Sequence, residues 1–394
     1  MNNRYPRREA IVLAGGFGTR LRPVVSDVPK PMALVAGRPF LRYVLDSLSE
    51  NGFDHVVLAV SYMHQAIEDY FHEQYRNLSI SYSIEECPLG TGGAISQALT
   101  LCENDWVFIL NGDTYLEVDY SALERCINNS TSCIVSSYMM DCADRYGTLS
   151  VTACGTVDHF IEKGSVKKGL INGGAYLLKR DALIGFEGPF SFERDYLEPH
   201  VGDGILVACE AKGTFIDIGV PDDYERAQKI FAESPVSQKL VLFDRDGTIN
   251  YDQEGHFCNP DDIQFIESTI EILKRYSNDR NCRIAVVTNQ SGIARGLYTE
   301  ADVRNLHIRM SELLAGYGVR IDAWYFCPHH PLFTGPCSCR KPHTGMIDKA
   351  LFDFEIDAER CVMYGDSQSD KLAAQTVGIP FIQVSADRSL EGSL

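Results

Sequence analysis

The chain has 394 residues, 45% of them apolar and 23% charged. At about 100–200 residues per domain this is two or three domains of ordinary globular composition, which excludes long disordered stretches. Lys and Arg number 36 against 54 Asp and Glu, a net charge of −18. Residues 1–238 carry 20 basic against 32 acidic residues and residues 239–394 carry 16 against 22, so neither half is an electrostatic platform for nucleic acid or anionic lipid. No nucleic-acid or membrane partner is therefore expected. Any substrate phosphate has to be held locally, by a few placed cations, main-chain N–H groups or metal ions.

No apolar run approaches the roughly 18 residues of a membrane helix. The first nine residues lack the apolar core of a signal peptide, and the expectation is a cytoplasmic protein. The 13 cysteines are mostly scattered singly inside apolar segments and read as reduced core thiols. Cys327, Cys337 and Cys339 differ, because they crowd together beside His329 and His330.

Taken in order, short apolar runs at residues 10–13, 55–60, 106–110, 133–138 and 175–178 predict strands, and a second set follows at 240–243, 284–287, 323–326, 362–364 and 381–384. Stretches with helical periodicity lie between many of them, at 40–48, 301–314 and 371–377. Strands alternating with helices predict α/β domains with largely parallel sheets, whose ligands sit beyond the carboxyl ends of the strands. The polar stretch 233–238 contains a proline, follows a helical pattern at 222–231 and precedes a fresh buried strand. It divides the chain into domains at 1–232 and 239–394.

The first strand runs into Gly15-Gly16-Phe17-Gly18-Thr19-Arg20-Leu21, a loop whose main-chain N–H groups can approach phosphate oxygens closely. It lacks the Lys-Ser/Thr ending of a P-loop, and its glycines are too tightly spaced for a dinucleotide fingerprint. Arg20 and Arg22 follow, then Pro29-Lys30-Pro31. This stretch resembles the signature of the sugar-1-phosphate nucleotidyltransferases. Further stations of that family occur in order over residues 8–231: the Gly90 to Ala94 segment, the Asn111-Gly112-Asp113 turn, Glu162-Lys163, Asn172-Gly173-Gly174, and Asp217.

The resemblance implies a Rossmann-like, GT-A-like fold in which a sugar-1-phosphate attacks the α-phosphorus of a nucleoside triphosphate and pyrophosphate leaves. It implies Mg²⁺ on Asp113 and Asp217, the triphosphate on Gly15, Gly16, Gly18, Thr19, Arg20 and Lys30, and base and ribose near Gly90. The sugar phosphate falls to Lys163, Asn172 and Gly173. No protein nucleophile is needed, because positioning and electrostatics carry such a reaction. Glu85, five residues before Gly90, is a candidate reader of the base. A carboxylate only accepts hydrogen bonds, and guanine offers N1–H and N2–H₂ together, so Glu85 ahead of Glu86 favours GTP. A solvated acidic pair is the other reading of the same two residues.

In the second half a buried strand ends in Asp244-Arg245-Asp246-Gly247-Thr248. Thr288-Asn289-Gln290, Arg340-Lys341-Pro342 and Gly365-Asp366-Ser367 with Asp370 follow, three of these four segments directly after apolar runs. These segments resemble the motifs of the haloacid-dehalogenase (HAD) superfamily. The resemblance implies a doubly wound domain, with Asp244 as nucleophile and Asp246 as general acid and base. It implies Mg²⁺ on Asp244, Asp366 and the main-chain carbonyl of Asp246, and phosphoryl oxygens on Thr288, Asn289, Arg340 and Lys341. Asp370 is expected to support Lys341 or the metal shell. Cys327, His329, Cys337 and Cys339 suit a closed, structural Zn²⁺ site that braces Lys341, with His329 favoured over His330.

This zinc loop resembles two HAD groups, the heptose 1,7-bisphosphate 7-phosphatases and the histidinol phosphatases. Fusion favours the first, because losing the 7-phosphate leaves heptose 1-phosphate, the kind of substrate the first half should activate. The first half most resembles heptose-1-phosphate guanylyltransferases and the mannose-1-phosphate enzymes near them. The expectation is a bifunctional enzyme that uses GTP and heptose phosphates and makes GDP-D-glycero-α-D-manno-heptose for surface polysaccharide. Two alternatives remain: a hexose 1-phosphate with GTP or UTP beside a histidinol-phosphatase-like or other sugar phosphatase, and one half kept as an inactive binding or regulatory module, against which the intact Asp113, Asp217, Asp244, Asp246 and Asp366 argue. The oligomeric state stays open, with a homo-oligomer among the possibilities.

Overall fold

Each predicted strand run forms. The computed structural model describes residues 8–16, 28–61, 63–141, 143, 146–161, 168–232, 239–251 and 263–384. Two compact units result, Met1–Ser234 and Pro235–Leu394. Gly18, Thr19, Arg20 and Lys163 lie outside the described residues, as do the 233–238 linker and Arg22 and Glu162. Among the described residues no helix is long and apolar enough to cross a membrane.

The first unit is built on a ten-stranded sheet. The Arg8–Leu13 strand lies at its centre, parallel to Phe53–Val60 on one side and Trp106–Asn111 on the other. Leu78–Ile84 extends the sheet parallel to Phe53–Val60. Its strict alternation, Leu-Ser-Ile-Ser-Tyr-Ser-Ile, is a strand signal that a search for continuous apolar runs passes over. Ala10 and Val12 face one buried cluster and Ile11 the other, so apolar side chains cover both faces of the sheet.

The expectation of a largely parallel sheet fails on one side. Gly169–Lys179 runs antiparallel to both Trp106–Asn111 and Cys133–Met140. The chain goes from the central strand to Phe53–Val60 and Leu78–Ile84, then returns to the opposite side with Trp106–Asn111. That reversal opens a crevice at the carboxyl ends of the Arg8–Leu13 and Trp106–Asn111 strands. Gly15 and Asp113 lie there.

The second unit holds a five-stranded sheet, in which every pairing is parallel. Its spatial order is Ala323–Cys327, Cys282–Asn289, Lys239–Phe243, Cys361–Gly365, Phe381–Gln383. The Lys239–Phe243 and Cys361–Gly365 pair marks the reversal of order. Helices cover both faces, and Leu240 and Leu242 bury on one side while Val241 and Phe243 bury on the other. Asp244, Thr288, Asn289, Cys327 and Asp366 therefore all lie at or just beyond the carboxyl ends of the strands, where a doubly wound sheet binds ligands.

Candidate functional site

In the first unit a short antiparallel ribbon sets the geometry. Thr114–Leu116 pairs with Phe215–Asp217, with Asp217 opposite Thr114. This register brings Asp217 beside Asp113. The Asp113 main-chain carbonyl accepts from Ile218 N–H at 3.1 Å. Lys30 lies between the carboxylates, its Nζ 2.5 Å from Asp113 Oδ2 and 3.9 Å from Asp217 Oδ1. Burial, then the like charge of Asp113, raises the Asp217 carboxyl above its ordinary value against the opposing Lys30. Two carboxylates facing one ammonium form a hard-oxygen pair that suits Mg²⁺.

Gly112 N–H donates to Leu13 O at 2.9 Å, which ties this turn to the end of the central strand. Asn172, Gly173 and Gly174 sit where the antiparallel strand breaks its register. A Cβ on Gly174 would lie 2.6 Å from Asn111 Nδ2, so this segment borders the Asp113 turn. Asn172 is held in turn, donating from Nδ2 to Tyr176 Oη at 2.8 Å.

Gly15 meets Glu85. A Cβ on Gly15 would lie 2.9 Å from Glu85 Oε1, so the bare glycine is what lets the carboxylate approach. Glu85 Oε2 accepts from Leu89 N–H at 2.9 Å, and burial raises the carboxyl against that bond. Glu86 is exposed, so Glu85 is the member of the pair that borders the glycine turn. The Gly90 segment forms the first turn of the helix Gly90–Leu99. Gly90 has φ +71°, and a Cβ there would strike Phe190 O at 2.5 Å.

In the second unit Lys341 is the hub. Its Nζ donates to Asp244 Oδ1 at 2.6 Å and to Val287 O at 2.7 Å, and lies 2.5 Å from Asp370 Oδ1. Asp370 serves two purposes with its two oxygens. Oδ1 faces the lysine, while Oδ2 accepts from Ser367 N–H and Oγ as the N3 partner of a capping box opening the helix Gln368–Val377. Burial pushes the Asp244 carboxyl up to about 7 despite the adjacent ammonium. Positive charge added near this carboxyl would favour its ionised form. Asp366 supplies the means, because Asp244, Asp366 and Asp370 each present an oxygen within 4.8 Å of the others. That hard-donor cluster fits Mg²⁺.

Asp246 is held from three sides. Arg245 Nε and Nη2 fork its two oxygens at 2.9 and 2.7 Å, Asn250 Nδ2 donates at 3.1 Å and Gln290 Nε2 at 2.9 Å. Burial opposes its charge, but the Arg245 guanidinium and these donors outweigh it and hold the carboxyl below its ordinary value. Sequence reasoning missed Gln290 and Asn250 as members of the site, although both stand inside or beside the motifs. Thr288 is buried in the site, its Oγ1 accepting from Gln290 Nε2 at 3.0 Å.

Two expected phosphate ligands have hydrogen-bond partners within the protein. The Asn289 amide spans the Lys341 main chain, donating to its carbonyl at 3.1 Å and accepting from its N–H at 3.0 Å. These bonds tie the end of the Cys282–Asn289 strand to the lysine. Arg340 Nη1 donates to His329 O at 3.3 Å and staples the cysteine loop.

In that loop Cys327, His329, Cys337 and Cys339 converge within 4.8 Å. Sulfur separations are 3.1 Å for Cys327–Cys339, 3.5 Å for Cys337–Cys339 and 3.7 Å for Cys327–Cys337, and His329 Nδ1 lies 3.2 Å from Cys339. Thiolates around tetrahedral zinc stand about 3.7 Å apart. Hydrogen bonding between Cys327 and Cys339 lowers the Cys339 thiol and raises the Cys327 thiol. His330 is excluded from the cluster because its Nδ1 caps the short helix Pro331–Thr334, accepting from Leu332 N–H at 3.2 Å.

These sites define two phosphorus-handling enzyme classes in one chain, a nucleotidyl transferase and a HAD-like hydrolase. The chain belongs to the nucleotidyl transferase family, whose match spans residues 9–234, and a HAD-hydrolase-like match covers residues 338–393. The first unit is 44% identical to the D-glycero-alpha-D-manno-heptose 1-phosphate guanylyltransferase of Campylobacter jejuni, over 55% of this chain and 96% of that protein. The second is 40% identical to a probable D-glycero-D-manno-heptose-1,7-bisphosphate 7-phosphatase of Thermoplasma acidophilum, over 41% of this chain and 99% of that protein. Among solved structures, HddC from Yersinia pseudotuberculosis complexed with GMP-PN matches with a TM-score of 0.52 and 36% identity, covering 57% of this chain and 99% of that one. The chain is thus a fusion of a guanylyltransferase-like unit and a heptose-bisphosphate-phosphatase-like unit.

Proposed function

We propose that the chain removes the 7-phosphate of D-glycero-D-manno-heptose 1,7-bisphosphate and then transfers GMP from GTP to the resulting heptose 1-phosphate, giving GDP-D-glycero-α-D-manno-heptose and pyrophosphate. The observation that carries this reading is the pairing. One relative is named for heptose 1-phosphate and the other for heptose 1,7-bisphosphate, and each matches over nearly its whole length. Hydrolysis by the second unit yields the substrate of the first.

In the phosphatase, an Asp244 oxygen attacks phosphorus and the bond to O7 breaks. Asp246 is ionised in the free site; the negative charge of the bound phosphate favours its protonated form, so that it hands a proton to the departing O7 and takes one from the water that then hydrolyses the aspartyl-phosphate. Lys341 and Thr288 stabilise the transferring oxygens, and Asn289 keeps Lys341 in place. In the transferase, a sugar-phosphate oxygen forms a bond to the α-phosphorus of GTP while the α–β bridge breaks. Lys30 and the Gly15–Gly16 turn hold the triphosphate, Glu85 accepts from guanine N1–H and N2–H₂, and Asn172 and Gly173 border the sugar phosphate. Mg²⁺ on Asp113 and Asp217, and on Asp244 and Asp366, would neutralise phosphate charge in each site. Zn²⁺ on the Cys₃His cluster is structural in this reading, since four protein donors leave no open position.

The test is to incubate the purified chain with heptose 1,7-bisphosphate, GTP and Mg²⁺. Release of phosphate and pyrophosphate with formation of a GDP-sugar supports the reading. Activity with UTP but not GTP, or phosphate release from histidinol phosphate alone, overturns it.

A further inference from the structure

Arg245 is buried, and its guanidinium does more than fork Asp246. Nη1 points the other way and donates to Nε2 of His307 at 3.2 Å. His307 lies on the helix Glu300–Gly316, in sequence 61 residues beyond Asp246, and is itself buried. Its ring stacks on Trp324, with centroids 4.4 Å apart and planes at 15°, and meets the edge of Phe326 at 5.9 Å. Trp324 is fixed by a hydrogen bond from Nε1 to Ser311 Oγ at 2.9 Å. Burial and the charges of Arg245 and Arg304 keep the imidazole neutral, so Nε2 can present a lone pair to the guanidinium.

A guanidinium is a rigid planar fork. Once Nη1 is anchored by an acceptor, the plane is fixed and Nε and Nη2 are aimed at the two oxygens of Asp246. We propose that His307 is a positioning residue of the phosphatase: by accepting from Arg245 it sets the orientation of Asp246, the group that exchanges a proton with the leaving oxygen and with water. The inference rests on the proposed role of Asp246. It assigns a catalytic consequence to a side chain that touches neither substrate nor metal ligand and that reads in sequence as part of a core-facing helix.

Two variants separate this from simple packing. His307→Phe keeps the ring on Trp324 and removes the acceptor. His307→Gln gives up the ring and keeps an acceptor oxygen of comparable reach. With heptose 1,7-bisphosphate, His307→Phe should lower kcat for phosphate release tenfold or more with KM changed less than threefold. His307→Gln should recover most of that loss, and guanylyl transfer should be unchanged in both. Wild-type kcat in His307→Phe, or equal losses in the two variants, overturns the proposal. Should His307→Phe fail to fold, His307→Asn, whose amide falls short of Arg245, takes its place. If the wild-type chain releases no phosphate from this bisphosphate, the substrate reading has failed, and crystal structures of the variants decide the inference. An Arg245–Asp246 fork lost in His307→Phe and kept in His307→Gln supports it, and a fork unchanged in His307→Phe overturns it.

Discussion

Lys341 Nζ donates to Asp244 Oδ1 at 2.6 Å, between two side chains that are both almost wholly withdrawn from water. The ammonium is the counter-charge for both Asp244 and Asp370. Breaking such a buried pair from one side leaves charge uncompensated, which typically destabilises by about 3–5 kcal/mol. Lys341→Met should therefore abolish phosphate release and also lower the denaturant midpoint of the second unit. A variant that lost activity with an unchanged midpoint would contradict this account of the buried pair.

Asp244→Asn tests the independence of the two chemistries. It removes the nucleophile but retains a side chain of the same shape beside Lys341. Phosphate release should vanish, while the chain should still convert supplied heptose 1-phosphate and GTP to pyrophosphate and GDP-heptose at the wild-type rate. Coupled assays for phosphate and pyrophosphate on one preparation give both values.

Glu85 is the proposed reader of guanine because its carboxylate borders Gly15 and only accepts hydrogen bonds. Glu85→Gln exchanges one acceptor for a donor, and the kcat/KM preference for GTP over UTP should fall by at least tenfold, on the order of one lost charge-assisted hydrogen bond. Full retention of the GTP preference would remove Glu85 from the base site.

The Cys₃His cluster should carry about one Zn²⁺ per chain by metal analysis, as expected for a closed four-donor site. Chelation followed by return of excess Mg²⁺, or Cys339→Ser, should lower the melting temperature of the second unit and slow phosphate release, because Arg340 and Lys341 follow Cys339 directly in the chain. Guanylyl transfer should be untouched. Metal content near zero in protein purified without chelators would refute the assignment.

His307 also predicts a pH dependence of stability. Burial, then the charges of Arg245 and Arg304, depresses the imidazole far below its ordinary value of 6.5. Above about pH 7 the ring is neutral folded or unfolded and contributes no slope. As pH falls through 6.5, the unfolded chain binds a proton that the folded chain refuses. Stability is thus lost toward acid, by at most about 1.4 kcal/mol per pH unit. Urea unfolding of wild type and His307→Phe at neutral and mildly acidic pH should show a smaller acid loss in the variant. Parallel acid losses would refute a neutral buried imidazole.

Much of the molecule was legible from the chain alone, and the reason is local. In sheets covered on both faces, strands read as continuous apolar runs, so residues 10–13, 106–110, 240–243 and 284–287 announced themselves. The candidate phosphate-site residues follow such runs within three positions, as Gly15, Asp113, Asp244 and Thr288 do. The cysteines of the metal loop were readable because their donors crowd into one short segment. What stayed hidden depends on long-range pairing. Asp113 and Asp217 become neighbours through the register of a three-residue ribbon. Asn289 turns to the Lys341 main chain because their two segments pack side by side.

The composition and order of motifs by themselves determined two acidic α/β units, each built to handle phosphate, because chemistry of this kind demands particular residue types at strand ends. Only the tertiary structure decided which side chain meets which. It set Glu85 against Gly15 and Asp217 beside Asp113, made His330 a helix cap, and ran a hydrogen-bonded line from His307 through Arg245 to Asp246. A histidine on the apolar face of a helix looks the same in sequence whether it fills a core or anchors an arginine. The difference lies in what the neighbouring strand ends bring to within hydrogen-bonding distance of its nitrogen, and that is a property of the folded chain.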